Sequence, residues 1–171
     1  MTKAIDLLYD EHQIITQAIE QVRAFLDEAV NGTKSIEEMH AYILFFRHYA
    51  DKFHHYKEEE ILFPEMAKRN ELIAEGVIQE MLDNHVEFRQ MIADMEASAS
   101  EGDAAKTQMQ FAQYAEALLD HIAVENDEVF QMAESLFSDD ELENMYFRFV
   151  DMDRELNDAK KREMEASIQN G

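Results

Sequence analysis

The sequence predicts an all-α protein, a bundle of long helices, from three observations. Only 4 Gly and 1 Pro occur among 171 residues, so the chain has few of the residues that break helices and shape turns. Ala, Glu, Met, Leu and Gln are abundant, and these residues favour helix over strand. Apolar residues recur at helical spacing through long segments. The length fits one domain with a sizeable core.

The first two helices are predicted from their apolar stripes and their ends. The first covers about residues 3–29 and stops at an Asn-Gly pair. The second covers about residues 35–69 and begins with a Ser-x-x-Glu capping box. Pro64 is expected to kink or end it, because proline has no backbone N–H to donate within a helix.

Two further helices complete a bundle. The third is predicted over about residues 71–97, and a small, polar segment with a glycine, residues 98–103, forms the loop after it. The fourth runs from about residue 104 to residue 136. Four long helices joined by short loops predict an up-down four-helix bundle.

A fifth helix is predicted beyond the bundle, over about residues 139–168. It begins with a second Ser-x-x-Glu capping box and carries an apolar side before a polar tail. We therefore expect a bundle over residues 1–136 and an appended helix with a polar tail over residues 137–171. The appended helix is expected to cap the bundle or to mediate a homodimer.

Charge and cysteine content exclude several classes of function. The formal net charge is −23, which disfavours nucleic acid and anionic membrane surfaces as partners. With no cysteine, the chain has no disulfide, thiolate nucleophile, Fe–S cluster or Cys-based zinc site, so metal chemistry must use His and carboxylates. No signal peptide and no membrane-spanning run of about 20 apolar residues is evident, and a cytoplasmic protein is expected.

Four of the seven histidines share the apolar stripe of their own predicted helix, one on each bundle helix. They are His12, His54, His85 and His121. Glu58 follows His54 by four residues, and Glu125 follows His121 by the same spacing. Residues four apart lie on the same helical face, so each imidazole and carboxylate pair can reach one metal held in the bundle core.

An internal repeat supports this interpretation. The pattern H-xxx-E-xxx-L-F that starts at His54 recurs as H-xxx-E-xxx-V-F from His121. His12 and His85 repeat as well, each two residues after an aspartate and seven before an isoleucine. The chain therefore reads as a duplicated helix pair. Each copy contributes one histidine from its first helix and a His-Glu pair from its second.

Four imidazoles and two carboxylates suit two iron ions bridged by the two glutamates, and manganese or zinc fits these ligand types less selectively. Burial of six titratable groups without a metal is costly, whereas coordination neutralises the carboxylates. His55 and Glu59 lie about 100° further round the helix than their preceding neighbours. We therefore expect them on the surface or behind the ligands.

The segments HHYKEEEILFP, DNHVEFR and HIAVENDEVF resemble signature segments of the hemerythrin-like (HHE cation-binding) family, over about residues 5–135. The resemblance implies a bundle with a non-haem di-iron centre, carboxylate- and oxo- or hydroxo-bridged. Its implied ligands are His12, His54, Glu58, His85, His121 and Glu125. Oxygen carriers of the family have a fifth histidine one turn from the third-helix ligand, where this chain has Met81 and Arg89. This departure predicts an open iron position, taken by water, Glu59 or an exogenous ligand.

The function expected from these features is binding, sensing or scavenging of a small ligand, O2, NO or peroxide, at a di-iron centre. Two alternatives share the scaffold. One is a di-iron enzyme that acts on peroxide or NO, or an iron-handling repair protein; the other is a bundle in which the metal is structural. Ferritin-like di-iron proteins need two ExxH motifs, and only one occurs here, so that class is set aside.

Overall fold

The computed structural model describes residues 2–171, and its regular secondary structure is helical throughout that range. Six helices follow one another. They are α1 (Lys3–Val30), α2 (36–69), α3 (71–100), α4 (104–136), α5 (Asp139–Glu155) and α6 (Asp158–Gln169). The predicted all-α class is confirmed. No helix within residues 2–171 combines the length and the apolar character needed to cross a membrane.

Helices α1 to α4 form a four-helix bundle in which each helix packs against two neighbours. α1 contacts α2 and α4, and α3 also contacts α2 and α4. The connections are short, so consecutive helices run antiparallel. α5 and α6 pack outside the bundle, on α1 and α2. These two helices therefore cover one face of the bundle and leave the α3 and α4 side uncovered.

The apolar core is divided into two clusters that occupy opposite ends of the bundle. One includes Ile15, Tyr49 and Leu118. The other includes Leu8, Phe63 and Phe130, with buried residues of α5 packed against it. Residues that lie between these clusters along each helix form a buried layer. This layer contains all of the histidines that share an apolar stripe.

Three bundle helices contain π-helical segments, in which the backbone N–H bonds to the carbonyl five residues earlier. In α2 they are Phe46–His55 and Glu58–Leu62, in α3 the segment is Ala74–Ile78, and in α4 it is Glu125–Val129. A wider turn places more residues in each revolution, so consecutive side chains lie closer together round the axis than the about 100° of an α-helix. Pro64 lies two residues after the second segment and does not end α2, which continues to residue 69.

The expected single C-terminal helix is wrong, because the chain bends between α5 and α6. Asn157 adopts a left-handed conformation with φ of 83°, and its side chain accepts a hydrogen bond from the Lys160 backbone N–H. Asparagine tolerates this conformation better than most residues and caps the new helix. The expected polar tail is helical to Gln169, and Ile168 is buried against the bundle. The bend brings α6 back across α1 and α2.

Candidate metal centre

Seven buried side chains from all four bundle helices converge in the layer between the two apolar clusters. They are His12 from α1, His54, His55 and Glu58 from α2, His85 from α3, and His121 and Glu125 from α4. None is more than 2% exposed. The structure brings together all six residues that the sequence nominated and adds His55 to them.

These side chains form two groups that share one carboxylate. The first group is His12, His54, Glu58 and Glu125, and the second group is His55, Glu58, His85 and His121. In each group, one ligand-type atom from every residue lies within 4.8 Å of the others. Glu58 is the carboxylate that belongs to both groups. The buried His and Glu cluster is thus able to hold metal.

Both glutamates face histidines of the two groups. Glu125 Oε1 lies 3.2 Å from His12 Nε2 and 3.1 Å from His121 Nε2. Glu58 Oε2 lies 3.6 Å from His54 Nε2, and its Oε1 lies 3.3 Å from His85 Nε2. Glu58 therefore presents one oxygen to a histidine of each group, whereas Glu125 presents the same oxygen to both of its histidines. Glu58 and Glu125 each begin a π-helical segment, and the sequence repeat is thereby matched by a structural one.

The chemistry of these donors fits a cation. His54 Nε2, both carboxylate oxygens of Glu58 and Glu125 Oε2 are buried and have no hydrogen-bond partner within residues 2–171. Nε2 atoms of His85 and His121 also face each other at 3.2 Å. Buried polar atoms without partners are costly, and two facing lone pairs repel. Bound cations would give these atoms the partners that they lack.

Burial shifts the pKa values of the histidines in the direction that metal binding requires, and the pKa of Glu58 in the opposite direction. Burial and the neighbouring His12 lower the pKa of His54 to about 4. Burial and the neighbouring His85 lower the pKa of His55 well below its ordinary value. Neutral imidazole is the form that binds metals. Burial and repulsion from Glu125 raise the pKa of Glu58 well above its ordinary value, a strain that a cation between the carboxylates relieves.

His55 is the residue that the sequence interpretation misplaced. It was expected on the surface or behind the ligands, but its side chain is 2% exposed, and its ring stacks on His85 with centroids 3.9 Å apart. The expectation assumed α-helical spacing, whereas residues 46–55 are π-helical, and this geometry lets both His54 and His55 face inward. His55 therefore supplies a fifth imidazole from α2. The third helix, where oxygen carriers of the family have their fifth histidine, supplies none beyond His85.

Every one of the five imidazoles has an oxygen beside its Nδ1. The partners are Asn126 for His12, Glu11 for His54, Asp51 for His55, Glu59 for His85 and Asn84 for His121, at 2.7, 2.9, 3.5, 3.2 and 3.0 Å. A proton on Nδ1 is donated to these oxygens, so the Nε2 lone pair is free for a metal. Apart from Glu59, these partners were missed. The contacts of Glu11, Asn84 and Asn126 are between helices, which spacing within one helix does not reveal, and Asp51 was missed together with His55 on α2.

Comparisons with known proteins give one result. The family described as "Hemerythrin HHE cation binding domain" matches residues 3–133, most of the chain. Searches of curated proteins and of solved structures returned no match. The matched range covers all seven residues of the two groups and ends before α5. With the buried His and Glu cluster in place, the match shows that the chain belongs to the hemerythrin HHE cation-binding family.

Proposed function

We propose that the protein holds two iron ions, one in each group, and binds a small neutral ligand such as O2, NO or peroxide at the centre. The observation that carries this proposal is the pair of four-residue groups that share Glu58, with buried donor atoms left without hydrogen-bond partners. Two adjacent groups with a common carboxylate suit two ions better than one.

Iron is favoured by the donor set. Imidazole and carboxylate ligands without sulfur suit iron in both its divalent and trivalent states. Bound iron would supply redox chemistry toward O2, NO or peroxide. The five histidines and two glutamates hold the ions, and the Nδ1 partners fix the orientation of each ring. Manganese and zinc are the alternatives that the same donors accept.

The exogenous ligand is expected in the first group, because that group contains two histidines and the second contains three. A surface groove of about 410 Å³ runs between α1 and α4 and reaches His12. Its other lining residues are Tyr9, Gln13, Thr16, Gln17, Glu20, Ile122 and Asn126. The groove therefore offers a small molecule a path to the side of the centre with fewer histidines.

The groove is suited to uncharged ligands. Ile122 is apolar, Glu20 repels anions, and the net charge of −23 acts in the same direction. The hydroxyl of Tyr9 donates a hydrogen bond to the backbone carbonyl of Asn126 at 2.7 Å. The side-chain Oδ1 of Asn126 accepts a hydrogen bond from His12 Nδ1. These side chains fix the groove wall and keep the His12 ring oriented.

The test is anaerobic loading with iron(II), followed by metal counting and optical titration with O2, NO and H2O2 in separate samples. Two irons per chain and a spectral change that saturates with at least one ligand are expected. Parallel loading with Mn2+ and Zn2+ measures metal preference. One metal or none per chain would contradict the proposal. Consumption of peroxide over many cycles would instead assign the chain to the enzyme alternative.

A further inference from the structure

Behind His54 lies a buried cluster of four charged side chains from four different helices. Its members are Glu11 from α1, Lys57 from α2, Asp153 from α5 and Lys161 from α6. Lys57 Nζ lies 2.7 Å from Glu11 Oε2 and 2.5 Å from Asp153 Oδ1. Lys161 Nζ lies 2.9 Å from the same Glu11 oxygen and 3.1 Å from Asp153 Oδ2. Each cation thus contacts both carboxylates.

The cluster is electrically balanced, and this balance explains how it is tolerated in the interior. Isolated buried charges are costly, but here every charge has two partners of opposite sign. Burial alone raises the pKa of Glu11, yet Lys57 and Lys161 hold that pKa well below its ordinary value. Removal of one lysine leaves two buried carboxylates with a single cation. Each carboxylate then loses one of its two cationic partners, so both are expected to change position.

The cluster connects directly to the metal centre. One oxygen of Glu11 contacts the two lysines, and the other oxygen accepts the hydrogen bond from His54 Nδ1 at 2.9 Å. Asp153 and Lys161 belong to α5 and α6, which lie beyond residues 3–133 that match the family. The bend at Asn157 turns α6 so that Lys161 meets Glu11. Helices outside the matched range therefore reach a candidate metal ligand through one carboxylate.

We propose that Lys161 is a positioning residue for the metal centre. It holds the Glu11 carboxylate against His54 Nδ1, which keeps the proton on that nitrogen and directs Nε2 toward the first group. The effect on metal affinity rests on the proposed function. The orientation and tautomer of His54 in the metal-free chain do not rest on it. The positioning role and the proposed function can therefore be refuted independently.

Three variants separate positioning from simple packing. Lys161→Met leaves one cation for two carboxylates, so Glu11 is expected to lose its place and His54 its acceptor. Asp153→Asn leaves Glu11 with both lysines, and the His54 contact should persist. The double variant restores a balanced pair of Glu11 and Lys57. If α6 acted only through packing, the double variant would be at least as impaired as Lys161→Met, because both lose the Lys161–Asp153 ion pair.

The experiment uses the full-length chain, labelled with ¹⁵N-histidine and free of metal, and records long-range ¹H–¹⁵N correlations of the imidazoles. His54 signals are assigned by their absence from His54→Gln. A single tautomer protonated on Nδ1 is expected in the wild type, in Asp153→Asn and in the double variant, and a mixture in Lys161→Met. Iron(II) affinity, measured anaerobically, should fall about tenfold in Lys161→Met and return to near the wild-type value in the double variant.

Arg162→Met is the matched control, since Arg162 is the next residue of α6 and pairs only at the surface with Asp158, at 3.6 Å. It should leave tautomer and affinity unchanged. An unchanged tautomer in Lys161→Met, or equal impairment of that variant and the double variant, would overturn the proposal. Absence of iron binding in the wild type with the expected tautomer pattern would overturn the proposed function and leave the positioning role of Lys161 standing.

Discussion

The two groups of the metal centre share Glu58 but are supported in opposite ways. Behind His54 of the first group, Glu11 is held by Lys57 and Lys161 in a cluster that solvent barely reaches. Behind His85 of the second group, Glu59 is held by Arg89, whose side chain is 35% exposed. We call Lys57 and Lys161 the sealed support, because they lie inside the protein, and Arg89 the exposed support, because it lies at the protein's edge.

The difference follows from where α5 and α6 pack. They cover α1 and α2, which carry the first group's histidines, and leave the α3 side open. Charges in a covered position interact strongly and are costly to unpair, whereas charges at the edge are screened by water and salt. The first group also has fewer histidines, so each of its rings is expected to matter more. The comparison therefore predicts larger effects from changes behind the first group than from equivalent changes behind the second.

The largest effect is expected at the residue that the groups share. Glu58→Gln removes the charge of a donor common to both groups, so iron should be lost from both, with a fall of at least 100-fold in affinity and fewer than one metal per chain. Metal analysis after anaerobic loading measures this. Glu60→Gln is the control, because Glu60 is exposed two residues away. Loss of only one ion in Glu58→Gln would show that the groups bind independently.

Next in size is the sealed support. Lys57→Met leaves Glu11 and Asp153 with Lys161 alone, and breaking a buried ion pair typically destabilises by about 3–5 kcal/mol. Urea unfolding of the metal-free protein measures the loss in the free energy of unfolding. Lys52→Met, an exposed change on the same helix, should cost less than about 0.5 kcal/mol. A loss of under 1 kcal/mol in Lys57→Met would remove the contrast between the two supports.

Sequence reasoning reached the bundle and six members of the centre because both depend on spacing within single helices. The H-xxx-E repeat placed His54 with Glu58 and His121 with Glu125, and the structure brings these pairs together. It missed His55, because α-helical geometry was assumed through a π-helical segment. Glu11 was also missed, since its partners come from α2, α5 and α6, and only the fold makes them neighbours.

The corrected position of His55 gives the third prediction. His55→Ala should weaken iron binding in the second group by about 10–100-fold, about 1.4–2.7 kcal/mol, and leave the first group occupied. The expected readout is about one iron per chain at limiting iron(II). His48→Ala on the same helix, outside both groups, is the control and should retain two. Full occupancy in His55→Ala would return His55 to the flanking position first expected for it.

Metal-free stability should fall as the pH falls below 6.5. Burial lowers the pKa values of His54, His55 and His85, so the unfolded chain binds protons there that the native chain does not. The raised pKa of Glu58 acts with opposite sign, because the native carboxyl keeps a proton that the unfolded chain releases. The effect of three imidazoles on the free energy of unfolding outweighs the opposite effect of one carboxyl.

A net loss of at least about 1 kcal/mol per pH unit is therefore expected between pH 6.5 and 5, measured by urea unfolding at each pH. His54→Gln should reduce the slope, and Glu58→Gln should steepen it. His40→Gln, at an exposed position outside both groups, is the control and should leave the slope unchanged. A flat profile would mean that the buried histidines accept protons in the native state.

The smallest effect is expected at the exposed support. Arg89 donates to Asp51 from Nε and Nη2, at 2.8 to 3.1 Å, and also to Glu59. Its exposure means that water replaces much of what Arg89→Gln removes, so the loss should be about 1 kcal/mol or less. Screening in 1 M salt should reduce the stability loss of Arg89→Gln further. The stability loss of Lys57→Met should persist, because the partners of Lys57 are buried and salt does not screen them. Equal losses and equal salt dependence in the two variants would show that the cover of α5 and α6 does not separate the two supports.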